Sequence, residues 1–253
     1  MKFDALRRVY AEVIMASVLL TRLPMPRVDP KEFQNAARTV WAYPLIGLVV
    51  GGLSLLAGKA FLAIGLPAGL AAAVALATTA AVTGAMHEDG LADTADGFWG
   101  AFTPENRLSI MKDSQIGTYG TLALIFVTGT RWLCYAVLLA VAPVVLVASA
   151  MLSRATMPIL MRTLPPARSD GLSRNVGKPA TAAVALGFAI ALFAAIVLAG
   201  STGAYAALAA LAVTIALGLI ARRKIGGQTG DVLGAAQQLS ELACLFIFLR
   251  ASL

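Results

Sequence analysis

The sequence is poor in charge. Asp, Glu, Lys and Arg make up 13% of its 253 residues, about half the share found in soluble domains. Acid is scarcer than base, with 13 Asp+Glu against 20 Lys+Arg, and there are only two cysteines and one histidine. So few charges cannot coat a soluble globule or keep a chain disordered. Two cysteines exclude a disulfide-dense scaffold, and Cys134 and Cys244, both in apolar stretches, read as packing residues. The formal charge of +7 comes with no basic nucleic-acid motif, so no nucleic-acid partner is expected. What is there instead is apolar: 59% hydrophobic residues and a mean hydropathy of +0.81. The chain reads as an all-α, polytopic membrane bundle, with length for about six to eight spans and none to spare for a sizeable soluble domain.

Uncharged runs divide the chain into seven expected membrane helices, at 40–58, 68–86, 117–139, 142–162, 180–199, 204–221 and 232–249. Apolarity is continuous rather than alternating, which argues against strands. The segment 5–21 carries Arg7, Arg8 and Glu12 and is stopped by Pro24 and Pro26. It reads as an N-terminal interfacial or re-entrant helix, and without a small-x-small cleavage site it is not expected to be a signal peptide. Residues 1–253 then form a single integral membrane domain with loops at 22–39, 87–115, 163–179 and 222–231. If the spans alternate, sixteen of the 20 basic residues fall on this one side, which the positive-inside rule makes cytosolic.

Six of the 13 acidic residues fall between positions 88 and 113. They open with His87-Glu88-Asp89-Gly90-Leu91-Ala92-Asp93-Thr94-Ala95-Asp96-Gly97, where the second span reaches the boundary. Asp89, Asp93 and Asp96 are spaced i, i+4, i+7 and share one helix face. Like charges so close to lipid shift one another's pKa values unless a cation neutralises them. An all-oxygen ligand set favours Mg²⁺ or Mn²⁺ over Zn²⁺. His87 leads the cluster and has a phosphate-contact or proton-transfer role open to it. Arg154 lies about two turns inside its span and needs a carboxylate or a bound phosphate. Arg131 is expected to snorkel toward the opposite surface, and Glu241 to need a partner. Lys112, with the N–H groups near Gly117 and Gly120, and the Arg174–Lys178 loop are candidate anion contacts. A metal-binding acidic cluster ringed by Arg and Lys suits a diphosphate substrate.

The motif His87–Gly97 resembles the signature of the cobalamin synthase family, the adenosylcobinamide-GDP ribazoletransferases. Further landmarks agree in order: Thr21-Arg22-Leu23-Pro24, Tyr43-Pro44-Leu45-Ile46-Gly47, Met111-Lys112-Asp113-Ser114, Ser153-Arg154 and Gly226-Gly227-Gln228-Thr229-Gly230-Asp231. The resemblance covers nearly the whole chain. It implies a Mg²⁺-dependent enzyme of the bacterial inner membrane that joins α-ribazole, or its 5′-phosphate, to adenosylcobinamide-GDP and releases GMP. The residues expected to serve it are Asp89, Asp93 and Asp96 as metal ligands, with Asp113, Asp231 or His87 as proton acceptor. Arg22, Lys112, Arg154, Arg174, Lys178, Gln228 and Asp231 are the expected substrate contacts. Expected partners are the two substrates and the bilayer, with a homo-oligomer or a complex with other cobalamin-assembly enzymes left open.

Two competing readings use the same acids. A CDP-alcohol phosphotransferase also opens its motif with Asp-x-x-Asp-Gly, as Asp93–Gly97 does, but its trailing Asp pair is missing here. A cation transporter predicts acids at the middle of several spans, and only Glu241 qualifies.

Overall fold

A computed structural model describes residues 2–28 and 30–253, and the side chains of 6–28, 36–171 and 173–253. Lys2 and Lys31, two of the basic residues counted above, have side chains outside those described. The chain folds as α1 (Lys2–Leu20), a 3-10 helix (Pro30–Ala42), α2 (Tyr43–Ala63), α3 (Ala68–Thr83), α4 (Met86–Gly100), α5 (Pro104–Ile110), α6 (Thr118–Val141), α7 (Val145–Thr163), α8 (Leu172–Val176), α9 (Thr181–Ala199), α10 (Ser201–Ile225) and α11 (Gly230–Ser252). Among the described residues the one β-type pairing is an isolated bridge between Pro166 and Gln228. Among the described residues, six helical segments are long and apolar enough to cross a membrane, or up to seven if α3 and α4 together count as a span. All seven expected spans coincide with helices.

Burial sorts these helices. In α7, 89% of the apolar window is buried, against 17% in α9. The bundle is therefore built around α7, while α9 shows most of its surface outward. Helix α1 does not pass as a span among the described residues. Its first turns expose Leu6, Val9 and Tyr10, while Met15, Ala16, Leu19 and Leu20 enter the core. Both cysteines are buried free thiols.

The expected loops at one end of the bundle are largely structured. The 87–115 stretch forms α4 and α5 rather than a loop, and the 22–39 stretch includes the start of the 3-10 helix. Helix α4 departs from α3 at 88°, through a turn in which Gly84 and Ala85 take φ of 66° and 55°. Ala85 is the one non-glycine residue with positive φ among those described. This turn directs the acidic helix across the end of the bundle. There α4 packs on α11 where Gly90 meets Gly234. A Cβ at Gly90 would lie 2.7 Å from the Asp231 carbonyl oxygen, and one at Gly234 would lie 3.2 Å from the His87 Cα. Only glycines allow this crossing, and it brings the aspartates of α4 beside Asp231.

Candidate functional site: a cleft of carboxylates and arginines

The loops after α7 and α10 are zipped together. Ala167 N–H donates to the Gln228 carbonyl at 2.8 Å, and Gln228 N–H donates to the Pro165 carbonyl at 2.9 Å. This holds Arg168 against Asp231, with 3.1 Å between Nη1 and Oδ2. Thr229 caps α11 and its hydroxyl donates to the same Asp231 oxygen at 3.1 Å. Around this pair opens a cleft of about 380 Å³, lined in part by Arg22, Asp89, Arg168, Arg174, Gln228 and Asp231. Segments far apart in sequence thus meet in one polar cavity.

Asp93, which does not line the cleft, is set among like charges. Burial, then the charges of Asp89 and Asp231, push the Asp93 carboxyl up to about 7, and Arg168 offsets this only in part. Around Asp93 the carboxylates of Asp89, Asp96 and Asp231 outnumber the one opposing arginine, Arg168, so this spot fits a hard divalent cation by its local charge and by donor chemistry. They do not form a closed cage: no three His, Cys, Asp or Glu side chains converge on a metal position among the described residues. Mg²⁺ needs no such cage, because it is commonly held by one or two carboxylates plus substrate phosphates.

The expected trio is divided. Asp96 is buried, and its two carboxylate oxygens accept N–H bonds from Gly117 at 2.7 Å and Gly120 at 2.9 Å. It caps the N-terminus of α6, where a negative charge is favoured. A Cβ at Gly117 or Gly120 would fall within 2.5 Å or 2.3 Å of that carboxylate. These glycines are there to admit Asp96, and the N–H groups expected to hold phosphate are already taken.

Other expected site residues are distributed unevenly. Arg22, Asp89, Arg174, Gln228 and Asp231 line the cleft. Lys112 stands outside its lining and pairs with Asp170 at 2.7 Å, a bond that holds the Asp170 carboxyl below its usual range. Asp113 is exposed and accepts from the Gln115 N–H within its own turn, away from the cleft. Lys178 lines a neighbouring pocket that shares Ser173 and Gln228 with the cleft. His87 is buried in the wall of a separate apolar chamber. Burial, then Arg154 and Arg131, lower its pKa well below the usual value, so it is neutral.

Arg154 does not reach the cleft. It is buried within α7, donates to the Ala150 carbonyl at 3.0 Å and faces Glu241 at 3.9 Å. Of its two expected partners the structure supplies the carboxylate. Arg131 does not snorkel: it is 2% exposed. It bonds Glu241 at 2.7 Å, Gln238 at 2.6 Å and Glu88 at 3.4 Å. The helix turned it inward because Glu241 needed a counter-ion more than Arg131 needed water. Arg168, Asp170, Ser173 and Thr229 also line the cleft and were not expected there. Nothing in the spacing separates Arg168 from the other basic residues of its loop. The signal is the backbone pairing across Pro166 and Gln228, which no local pattern reveals.

Fold and cleft together define a polytopic membrane protein that gathers carboxylates and arginines in one cleft. The chain belongs to the cobalamin-5-phosphate synthase family, whose family model matches residues 12–249. It is 42% identical over 247 residues to the adenosylcobinamide-GDP ribazoletransferase of Bradyrhizobium diazoefficiens, covering 96% of this chain and 95% of that one. Proteins of the same name from Azorhizobium caulinodans and Mesorhizobium japonicum are 43% and 40% identical, over 94% and 95% of this chain and 95% and 93% of theirs. No solved structure matches the chain. It is an enzyme of the transferase class. Family membership sets aside the phosphotransferase and transporter readings.

Proposed function

We infer that this enzyme transfers the cobinamide phosphate of adenosylcobinamide-GDP to α-ribazole, or to its 5′-phosphate, and releases GMP. The observation that carries the reading is the meeting of Asp89, Asp231, Arg22, Arg168 and Arg174 in one cleft, in a chain of this family. Arginines suit a diphosphate by bidentate hydrogen bonding. The basic residues gathered on this side argue for a cytosolic cleft in a bacterial inner membrane.

The reaction forms one O–P bond and breaks another. A hydroxyl oxygen of the acceptor's ribose attacks the phosphorus that stays with cobinamide. The bond from that phosphorus to the oxygen of the GMP phosphate breaks, and its electron pair leaves on GMP. Arg22, Arg168 and Arg174 line the cleft and are the groups to bind the transferring and leaving phosphates. Asp231, held by Thr229 and Arg168, is our choice to take the hydroxyl proton. Asp113 and His87, the other candidates, do not line the cleft. Mg²⁺, bound through Asp89 and Asp93 together with substrate phosphate oxygens, would supply neutralisation of charge on the diphosphate.

The test is direct. Purified protein in lipid nanodiscs is incubated with adenosylcobinamide-GDP, α-ribazole and Mg²⁺, and the mixture is analysed by mass. GMP and a condensed corrinoid in equal amounts are expected. Folded protein that yields neither overturns the reading.

A further inference from the structure

Beside the cleft lies a second, smaller space of different character, a chamber of about 70 Å³. Its walls are Leu20, Met157, Met161, Val176 and Leu233, drawn from α1, α7, α8 and α11. Met86, Ser173 and Gly230 border both this chamber and the cleft, so the two meet along one edge. Three polar side chains break the apolar wall, Tyr43, His87 and Ser173, and the Ser173 hydroxyl is already given to Gln228. His87 is 1% exposed, and its Nε2 has no hydrogen-bond partner among the described residues. A buried polar atom in an apolar wall is costly unless a ligand completes it.

We propose that this chamber is the base subsite for the nucleoside acceptor, and that it takes a flat, largely apolar heteroaromatic ring whose one free ring nitrogen bonds to His87. The proposal rests on the transfer reading above and deepens it. Ligand chemistry decides between occupants. A lipid acyl chain satisfies the walls but leaves His87 unpaired. Guanine carries several donors and acceptors that these walls cannot meet. The corrin ring is too large. A benzimidazole-type base presents an apolar body and a single free nitrogen, and methionine walls adapt to such a ring and make favourable sulfur–aromatic contacts. With the base seated here, the attached ribose emerges at the Ser173–Gly230 edge, toward Asp231 and Asp89.

Binding, separate from turnover, tests this. Equilibrium dialysis of the full chain in nanodiscs measures affinity for benzimidazole riboside, for indole riboside, in which carbon replaces the free nitrogen, and for GDP. Met161→Phe, which fills the chamber, is expected to weaken benzimidazole riboside by about tenfold or more while GDP stays within about twofold. The wild type is expected to bind indole riboside about tenfold more weakly than benzimidazole riboside, with the gap closing in His87→Ala. Unchanged riboside affinity in folded Met161→Phe overturns the subsite, as does a GDP affinity that falls in step. If Met161→Phe fails to fold, the analogue comparison on the wild type decides, and equal affinities overturn the proposal. Absence of GMP release with riboside binding intact would overturn the reaction and leave the subsite standing.

Discussion

The molecule holds two clusters of opposite charges, and they are built in opposite ways. One lies within the bundle, where Arg131, Glu241, Arg154 and the amides of Gln237 and Gln238 interlock. There Glu241 accepts from Arg131 at 2.7 Å and from Gln237 at 2.5 Å. The other lies at the cleft, where Asp89 and Asp231 share the wall with Arg168 and, outside that lining, the carboxyl of Asp93 is driven to about 7. The first cluster matches nearly every charge with a partner and is closed to solvent. The second is open, and around Asp93 its carboxylates outnumber the arginine that opposes them. Side chains alike in kind thus serve two ends: matched charges hold helices together, and mismatched ones await a ligand. The two clusters touch through α4, because Glu88 accepts from Gln238 at 3.0 Å and adjoins Asp89.

The sharpest way to break the comparison is to neutralise one member of each cluster. Asp93→Asn is expected to cut GMP release by about a thousandfold, through loss of charge stabilisation at the diphosphate. Its fold should be as stable as the wild type or more so, since a repelled carboxylate is removed. Arg131→Met is expected to do the reverse. Breaking a buried pair costs about 3 to 5 kcal/mol, and SDS titration of the protein in mixed micelles should read it as a large loss of stability. Equal stability losses in the two variants would erase the distinction drawn here.

A third variant separates Asp96 from its neighbours. Asp96→Asn keeps size but turns an amide donor toward the Gly117 or Gly120 N–H. The expected cost is about 1 to 3 kcal/mol of stability, with the Mg²⁺ affinity of the folded protein within about twofold of wild type, since its ligands are untouched. A large loss of Mg²⁺ affinity with stability intact would return Asp96 to the metal set.

The fold was largely legible because lipid imposes it: long uncharged runs have few alternatives, and each expected span coincides with a helix. The site was legible where it depended on local spacing. Asp89 and Asp93 share a helix face, as their separation demands, and the glycine motif at 226–231 does border the cleft. Reading failed where a contact joined distant segments. Seven residues at 1.5 Å each set Asp96 about 10 Å beyond Asp89, so a shared face did not make a shared ligand. Gly117 and Gly120 resembled a phosphate cradle because the same N–H groups that bind phosphate also bind a carboxylate. Arg131 was misjudged because a basic residue about 12 Å from the end of the expected span 117–139 has the reach to snorkel, and only Glu241, more than a hundred positions away, decides otherwise.

The smallest expected effect, and the finest test of the cleft, is its response to pH. Asp93 faces Asp89, Asp231 and Asp96, with Arg168 as the opposing charge. Its carboxyl is raised from 3.8 to about 7, so over that interval the folded chain holds a proton that the unfolded chain has lost. Stability from this group is therefore present at the acid end and is lost as pH climbs toward 7, with no further change above it. Metal-free protein should weaken across that window, and Asp93→Asn should lose this part of the slope. A cation must displace the same proton, so Mg²⁺ affinity is expected to rise by up to about tenfold per pH unit below 7 and then level off. Isothermal titration of Mg²⁺ into the nanodisc-held protein at a series of pH values measures this directly. An affinity that is flat from pH 5 to 8 would mean that Asp93 and the ion do not compete with the proton for one site.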